Sequence, residues 1–368
     1  MKKGEYARSG VDYTKAKIFR EAMQAVGRRT LHFPEKRSVF IDEDAIGSRL
    51  TPWEYLGSLS HSWVSVSEFL GNQSYIAEWM YRHTGESYYD VIGFNLTQII
   101  VIDVTPGGAL PVIFNDVVAL SSYDWGIDEK RRNDFAKGIF DGCKICGMAL
   151  VQGDTGAARY LVRPGQSILS GSIKGIIAPK ERAITGGKLQ VGDHIIAVKS
   201  SGLHANGISL IIKRALTLKD QFLYELPNGN TFAKEALIRS CCYVKLMEAL
   251  LETQPKIDIH AVQPGTGGGP LKIAFDKRPF TYRIHSWFYE IPSLFTFMRE
   301  LGVSLQDCLT TFNWGGGYYV FVSSREVEQV IDIGRKAGYE LMDVGVVEKG
   351  PRRVIFEPEN VTLSPPGE

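Results

Sequence analysis

The residues Ser200-Ser201-Gly202-Leu203-His204-Ala205-Asn206-Gly207 stand directly before the apolar run ISLIIKRAL. That run reads as a helix. A helix beginning near Ile208 turns its free N–H groups back toward the loop, where an anion is favoured. Ser200, Ser201, His204 and Asn206 add polar side chains suited to a phosphate or an amide, and Gly202 and Gly207 let the backbone turn sharply. Plain helix capping by Asn206 after a serine-rich turn explains the same residues. A second candidate is PGTGGGP, residues 264–270. Gly267, Gly268 and Gly269 let the backbone approach a ligand without a Cβ in the way, at a cost in conformational entropy, and the Thr266 hydroxyl lies beside them. Carboxylates form the third group: Glu68 in SEFLGNQ, Asp103 in IVIDVTPGG and Asp154 in VQGDTG. Asp103 and Asp154 are read where an apolar strand meets a glycine turn. Magnesium ligands that face nucleotide phosphates occupy such places, although aspartates there also simply form turns. His260, in IDIHAV, alternates with apolar neighbours and reads as a satisfied core histidine. Trp314, Tyr318 and Tyr319 suit either stacking on a heterocycle or core packing.

The elements that must hold these residues follow from the glycines. There are 38, about one in ten against a usual share of about 7%. They cluster in TPGGALP, VQGDTG, PGTGGGP and NWGGGYY, each after an apolar segment. Apolar segment, glycine loop and helical pattern in succession are how α/β folds place backbone amides at ligands. The patterns predict helices near 14–27, 75–84, 128–148, 207–217, 232–253, 291–301 and 325–337. They predict strands near 98–104, 167–179, 257–262, 317–323 and 343–348, with one more entered through 186–201. Residues 28–66 are polar and carry no clear period, and the tail PENVTLSPPGE reads as loosely ordered. Proline, lysine and glycine between 179 and 193 mark a boundary. The expected architecture is α/β (α+β): two halves, 1–183 and 184–368, each with a mixed sheet and flanking helices.

Hydrophobic content of 44% with 23% charged residues is that of a soluble globular chain. Lysine and arginine total 42 against 41 acidic residues, a net charge of +1. No global field points to nucleic acid or a membrane surface, so an anionic ligand must be met locally. No apolar stretch follows the N-terminal basic residues, and no run approaches a membrane span. A reduced, cytoplasmic protein is expected. Cys143 and Cys146 lie one helical turn apart and read as core residues, since a zinc site would want a second such pair or histidines at ligand spacing.

Taken in order, these segments resemble the aminoimidazole ribonucleotide (AIR) synthetases, the phosphoribosylformylglycinamidine cyclo-ligases. YARSGVDYTK (6–15) is similar to the family's N-terminal tyrosine and GVD signature, and YYDVIGFNLTQIIVIDVTPGGALPV (88–112) to its central segment. LVQGDTG stands where the family has Gly-Gly-Glu-Thr. SSGLHANGISL, GTGGG and TFNWGGG are close to its Ser-Ser-Gly-x-His-x-Asn-Gly, Thr-Gly-Gly-Gly and Thr-Phe-Asn-x-Gly-x-Gly motifs. The resemblance implies two α/β domains, with the first pairing in a homodimer and ATP near that interface. It implies a small phosphoribosyl substrate, with ATP and Mg2+ used to phosphorylate an amide oxygen before a nitrogen of the same molecule closes the ring. It casts His204, Asn206 and Asp103 as catalytic. Ser200, Ser201, Gly202, Thr266, Gly267, Gly268, Gly269 and Asn313 would bind substrate. Glu68, Gln73, Asn95, Asp154 and Thr155 would face the nucleotide, with Glu68, Asp103 and Asp154 on the metal.

The departures fall on the nucleotide side. Gln73 replaces a lysine, Asn95 an aspartate and Ile102 an asparagine, while Asp154 is one methylene shorter than the usual glutamate. A catalytically weakened paralogue binding a phosphorylated ligand, or an ATP-dependent enzyme of the same superfamily with another substrate, are therefore the alternatives.

Overall fold

The computed structural model describes residues 12–42, 51–254 and 256–365. Most of the N-terminal motif at 6–15, part of the polar stretch (43–50) and the last three residues of the tail lie outside them. The chain divides into two compact units, with Lys180 closing the first and Glu181 opening the second, while Thr105–Ala109 belongs to the second.

In the first unit Asp12 caps helix α1 (Tyr13–Thr30), its carboxylate accepting from the Thr14 and Lys15 amides at 3.1 and 3.4 Å. Ala16, Phe19, Met23 and Val26 recur at helical spacing and form its buried stripe. Strands β1 (Val39–Ile41) and β2 (Trp53–Tyr55) make a short antiparallel ribbon. The main sheet has four strands, β3 (Ser62–Phe69), β4 (Leu110–Leu120), β5 (Ala149–Ala157) and β6 (Ser167–Ile177), in the order β3-β6-β4-β5. Only β4 and β5 run parallel, and the chain between them crosses over through helices α4 (Asp124–Ile127) and α5 (Glu129–Cys146). Helix α2 (Gln73–Thr84) follows β3, and α3 (Tyr89–Val104) precedes β4.

Residues 98–104, read as a strand, are the last turns of α3. This helix is buried on nearly every side, so its apolar residues show no 3.6-residue period. Its tight seat on α5 explains why. A Cβ on Gly138 would strike the Asp90 carbonyl, and one on Gly93 the Phe135 carbonyl, so the two backbones touch. Cys143 and Cys146 are buried on α5 as core residues, as their spacing suggested, and among the described residues neither forms a disulfide.

The second unit holds a seven-stranded sheet of β7 (His194–Lys199), β8 (Ala261–Pro264), β9 (Phe280–Ile284), β10 (Gly316–Val322), β11 (Leu341–Lys349), β12 (Arg353–Phe356) and β13 (Val361–Leu363). Their order is β13-β12-β9-β11-β7-β10-β8, with β12 and β9 parallel and the other pairs antiparallel. Both units therefore carry mixed sheets with helices. Strand β10 is buried at every position, which takes Tyr318 and Tyr319 into the core; Trp314 is buried too. The helices are α6 (Ile208–Ala215), α7 (Phe232–Ala236), α8 (Val244–Glu252), α9 (Ser293–Glu300), α10 (Leu305–Thr311) and α11 (Val327–Lys336). The single helix expected over 232–253 is thus two, α7 and α8. In the break between them Cys241 gives its amide to a histidine ring instead of to a helical carbonyl. His260 is buried against Asp193, its Nδ1 at 2.8 Å from the carboxylate, as a core histidine should be.

Candidate functional site

In the second unit, β7 runs out into Ser200, whose amide donates to the Gly315 carbonyl at 2.8 Å. Asn313 locks this junction. Its Oδ1 accepts from Ser200 Oγ at 2.9 Å and from the Gly315 amide at 3.0 Å, and its Nδ2 donates to the Gly202 carbonyl at 2.6 Å. Asn313 is buried, and with all these bonds made it ties TFNWGGG to SSGLHANG rather than presenting a group to a ligand.

His204 is buried as well. Its Nε2 accepts from the Ser201 and Cys241 amides at 3.2 and 3.3 Å. A nitrogen that accepts from two backbone N–H groups carries no proton, so the neutral ring holds its proton on Nδ1. Burial pushes the ring's pKa down to about 4, in keeping with that state. Ser201 Oγ donates to the Arg239 carbonyl at 2.8 Å, so its one proton is committed there. Nδ1 is buried without a hydrogen-bond partner among the described residues. In this arrangement Nε2 orders two backbone amides, so the ring positions the loop that carries Asn206.

Asn206 is not the helix cap. Gly207 is the N-cap of α6 and no side chain caps it. Asn206 Nδ2 donates to the His204 carbonyl at 2.8 Å, which leaves Oδ1 turned toward Gly267, 3.7 Å from the place a Cβ there would occupy. His204→Ala should then cost about 2–4 kcal/mol of stability, because two buried amides lose their acceptor, while Asn206→Ala should leave the melting temperature nearly unchanged and weaken substrate binding. Thermal melts paired with binding titrations check this split. Equal losses for both variants would refute it.

The glycine turn divides by function. Gly269, at φ +57°, packs against the Phe312 and Leu309 carbonyls, with which a Cβ would collide. Gly267 and Gly268, at φ +71° and +147°, meet only side chains at 3.6 Å or more, and Gly267 is exposed. Both turns use backbone that L side chains rarely adopt. Thr266 is buried beneath them.

On the first unit the expected nucleotide set comes apart. Gln73 and Asn95 are fully buried, and Asn95 Nδ2 donates to Gln73 Oε1 at 3.0 Å, so neither is offered to a nucleotide. Asp103 lies within α3 rather than at a strand end. Glu68 pairs with Gly171, Gly171 with Asp116, and Asp116 with Gly153 across the sheet. Glu68 and Asp116 thus share one face, and Asp154, one residue beyond Gly153, takes the other. Strands β3 and β5 are opposite edges of the sheet, roughly 14 Å apart at three strand spacings. Among the described residues no group of three metal-ligating side chains forms. The fold therefore does not bring Glu68 and Asp154 together.

What stands there instead is Asp116, missed in the sequence. A cleft of about 680 Å³ beside β5 is lined by Arg20, Gln24, Asn115, Asp116, Gln152 and Asp154, with Thr155 also in its wall. Asp116 is 2% exposed, and its Oδ1 has no hydrogen-bond partner among the described residues. It leans over Gly153, where a Cβ would collide with it. Burial, with the Asp154 charge adding, pushes its carboxyl up to about 7. The signal was present in PVIFNDVVAL, where an acid takes a buried parity between Phe114 and Val118.

Residues 190–357 match the family described as AIR synthase related protein, C-terminal domain. The chain is 31% identical over 272 residues to the phosphoribosylformylglycinamidine cyclo-ligase of Clostridium perfringens, covering 73% of this chain and 78% of that protein. It is 32% identical over 308 residues to the enzyme of the same name from Lactobacillus acidophilus, covering 81% and 84%. Among solved structures, thiamine-monophosphate kinase from Stenotrophomonas maltophilia superposes with a TM-score of 0.62 at 17% identity, over 90% of this chain and 96% of that one. The last is a likeness of fold.

Proposed function

The chain belongs to the phosphoribosylformylglycinamidine cyclo-ligase family, and from that premise we propose that it closes the imidazole ring of aminoimidazole ribonucleotide, with ATP as phosphoryl donor. The substrate is formylglycinamidine ribonucleotide. Its amide oxygen receives the γ-phosphoryl group, and a nitrogen of the same molecule then attacks that carbon and expels phosphate.

The observation that carries this reading is the assembly of SSGLHANG against GTGGG in the second unit. Asn206 Oδ1 faces the open Gly267–Gly268 turn, and Asn313 and His204 fix the loop that holds it. Asn206 accepts from a substrate N–H or O–H, and the turn's amides face the ligand without a Cβ between. Preorganised groups of this kind cost no rearrangement at the moment of reaction. Magnesium would come with the nucleotide, neutralising phosphate charge, and Asp116 with its unbonded Oδ1 is the fitting carboxylate in the cleft beside β5. The uncovered face of the first unit's sheet, where Phe69, Val117 and Ile168 are exposed, supports pairing with a second copy.

The Gln73–Asn95 bond favours a second reading, an ATP-dependent enzyme of the same superfamily acting on another phosphorylated substrate, because the lysine expected at the nucleotide is replaced by a buried amide. Purified protein given formylglycinamidine ribonucleotide, ATP and magnesium should release ADP and aminoimidazole ribonucleotide in equal amounts. ADP formed without the aminoimidazole favours the second reading, and neither product overturns the first.

A further inference from the structure

Lys272 lies one helical turn beyond the glycine run, in a short 3-10 helix at Gly269–Ile273. Its Nζ is 3.8 Å from the position a Cβ on Gly267 would take, and its own Cβ is 3.6 Å from that on Gly268. Asn206 Oδ1 approaches the same point above Gly267 at 3.7 Å. Among the described residues Lys272 has neither an ion pair nor a hydrogen bond to Asn206. An ammonium and an amide oxygen that have no partner among the described residues thus border one open backbone turn. An acceptor alone would repel an anion, and a cation alone would not orient one.

We propose that Lys272 is the cation that binds the phosphate of a sugar-phosphate ligand, with Asn206 Oδ1 taking a hydroxyl or N–H of the same molecule. This rests on the phosphoribosyl reading of the site and adds a specificity-determining residue to it. The Gly267–Gly268 turn brings backbone close to the phosphate, and Lys272 supplies the point charge that a glycine turn lacks. The resulting site prefers a phosphate monoester to the uncharged sugar, and its affinity falls with added salt.

The full chain is titrated calorimetrically with ribose 5-phosphate and with ribose, as wild type, Lys272→Met and Lys272→Arg. Lys272→Met should bind ribose 5-phosphate about 10- to 100-fold more weakly, with an unchanged melting temperature, weak ribose binding as before, and a flatter salt dependence. Lys272→Arg should restore most of the affinity. Wild-type affinity in Lys272→Met, or no binding of ribose 5-phosphate by the wild type, overturns the assignment. Turnover of formylglycinamidine ribonucleotide is measured alongside. Lys272-dependent binding without turnover overturns the ring-closing reading alone and leaves this assignment standing. Turnover whose KM is the same in Lys272→Met overturns this assignment alone.

Discussion

Asn313→Ala should destabilise the protein by about 3–5 kcal/mol and weaken substrate binding at least about 100-fold. The magnitude follows from what is left behind. The Gly315 amide loses its partner, and the Gly202 carbonyl and Ser200 Oγ keep only their weak mutual bond at 3.5 Å, while each buried polar group left unsatisfied costs about 1–3 kcal/mol. Against a total stability of about 5–15 kcal/mol for a typical domain this is a large share. Binding fails for the same reason, since the loop carrying His204 and Asn206 is no longer held to the loop that leads into β10. Ser200→Ala removes only one of these bonds and should cost about 1 kcal/mol. The double variant should cost less than the two single losses combined, because both act on one network. Urea unfolding with binding titrations reads all three. An Asn313→Ala protein within about 0.5 kcal/mol of wild type would show that the junction does not depend on this side chain.

Asp116→Asn is expected to stabilise the protein at pH 8 and to change it little at pH 4. The carboxyl's folded pKa is raised from 3.8 to about 7, so the native state holds its proton more tightly than the unfolded chain. The stability this confers is present below pH 4 and is lost as pH rises through about 7. A three-unit shift corresponds to about 4 kcal/mol at most, and a gain of about 2–4 kcal/mol at pH 8 is expected from removing the charge. His204 works in the opposite sense. Its depressed pKa, about 4 against 6.5, costs stability as pH falls below 6.5, so the wild-type profile contains both slopes. The difference between wild type and Asp116→Asn isolates the aspartate. Added magnesium with a non-hydrolysable ATP analogue should stabilise wild type at pH 8 and leave Asp116→Asn largely unmoved. Thermal melts across pH, with and without that ligand, make the measurement. A difference profile flat from pH 4 to 8 would refute the raised carboxyl, and equal stabilisation of both proteins by the analogue would remove Asp116 from the nucleotide side.

The second-unit loops were legible because their residue types state their conformation. Runs of glycine demand left-handed backbone, and they need no partner elsewhere in the chain to show it. Helices with one buried stripe, such as α1 and α11, were legible for a similar local reason. Helix α3 was not, since burial on all sides erases the period that separates helix from strand. The carboxylates failed differently. Glu68, Asp103 and Asp154 were grouped as acids beside glycine turns and by the resemblance, yet strand order sends Glu68 and Asp154 to opposite edges and faces of one sheet.

What the sequence determined by itself was the two-unit α/β plan, the family and the glycine turns, all of which are set by residue type and order along the chain. Tertiary structure alone decided that His204 Nε2 orders two amides, that Asn95 bonds to Gln73, and that Asp116 is buried with its Oδ1 lacking a partner among the described residues. Those outcomes depend on which groups the fold brings within hydrogen-bonding reach. A side chain's protonation and availability belong to its surroundings, which spacing along the chain does not contain.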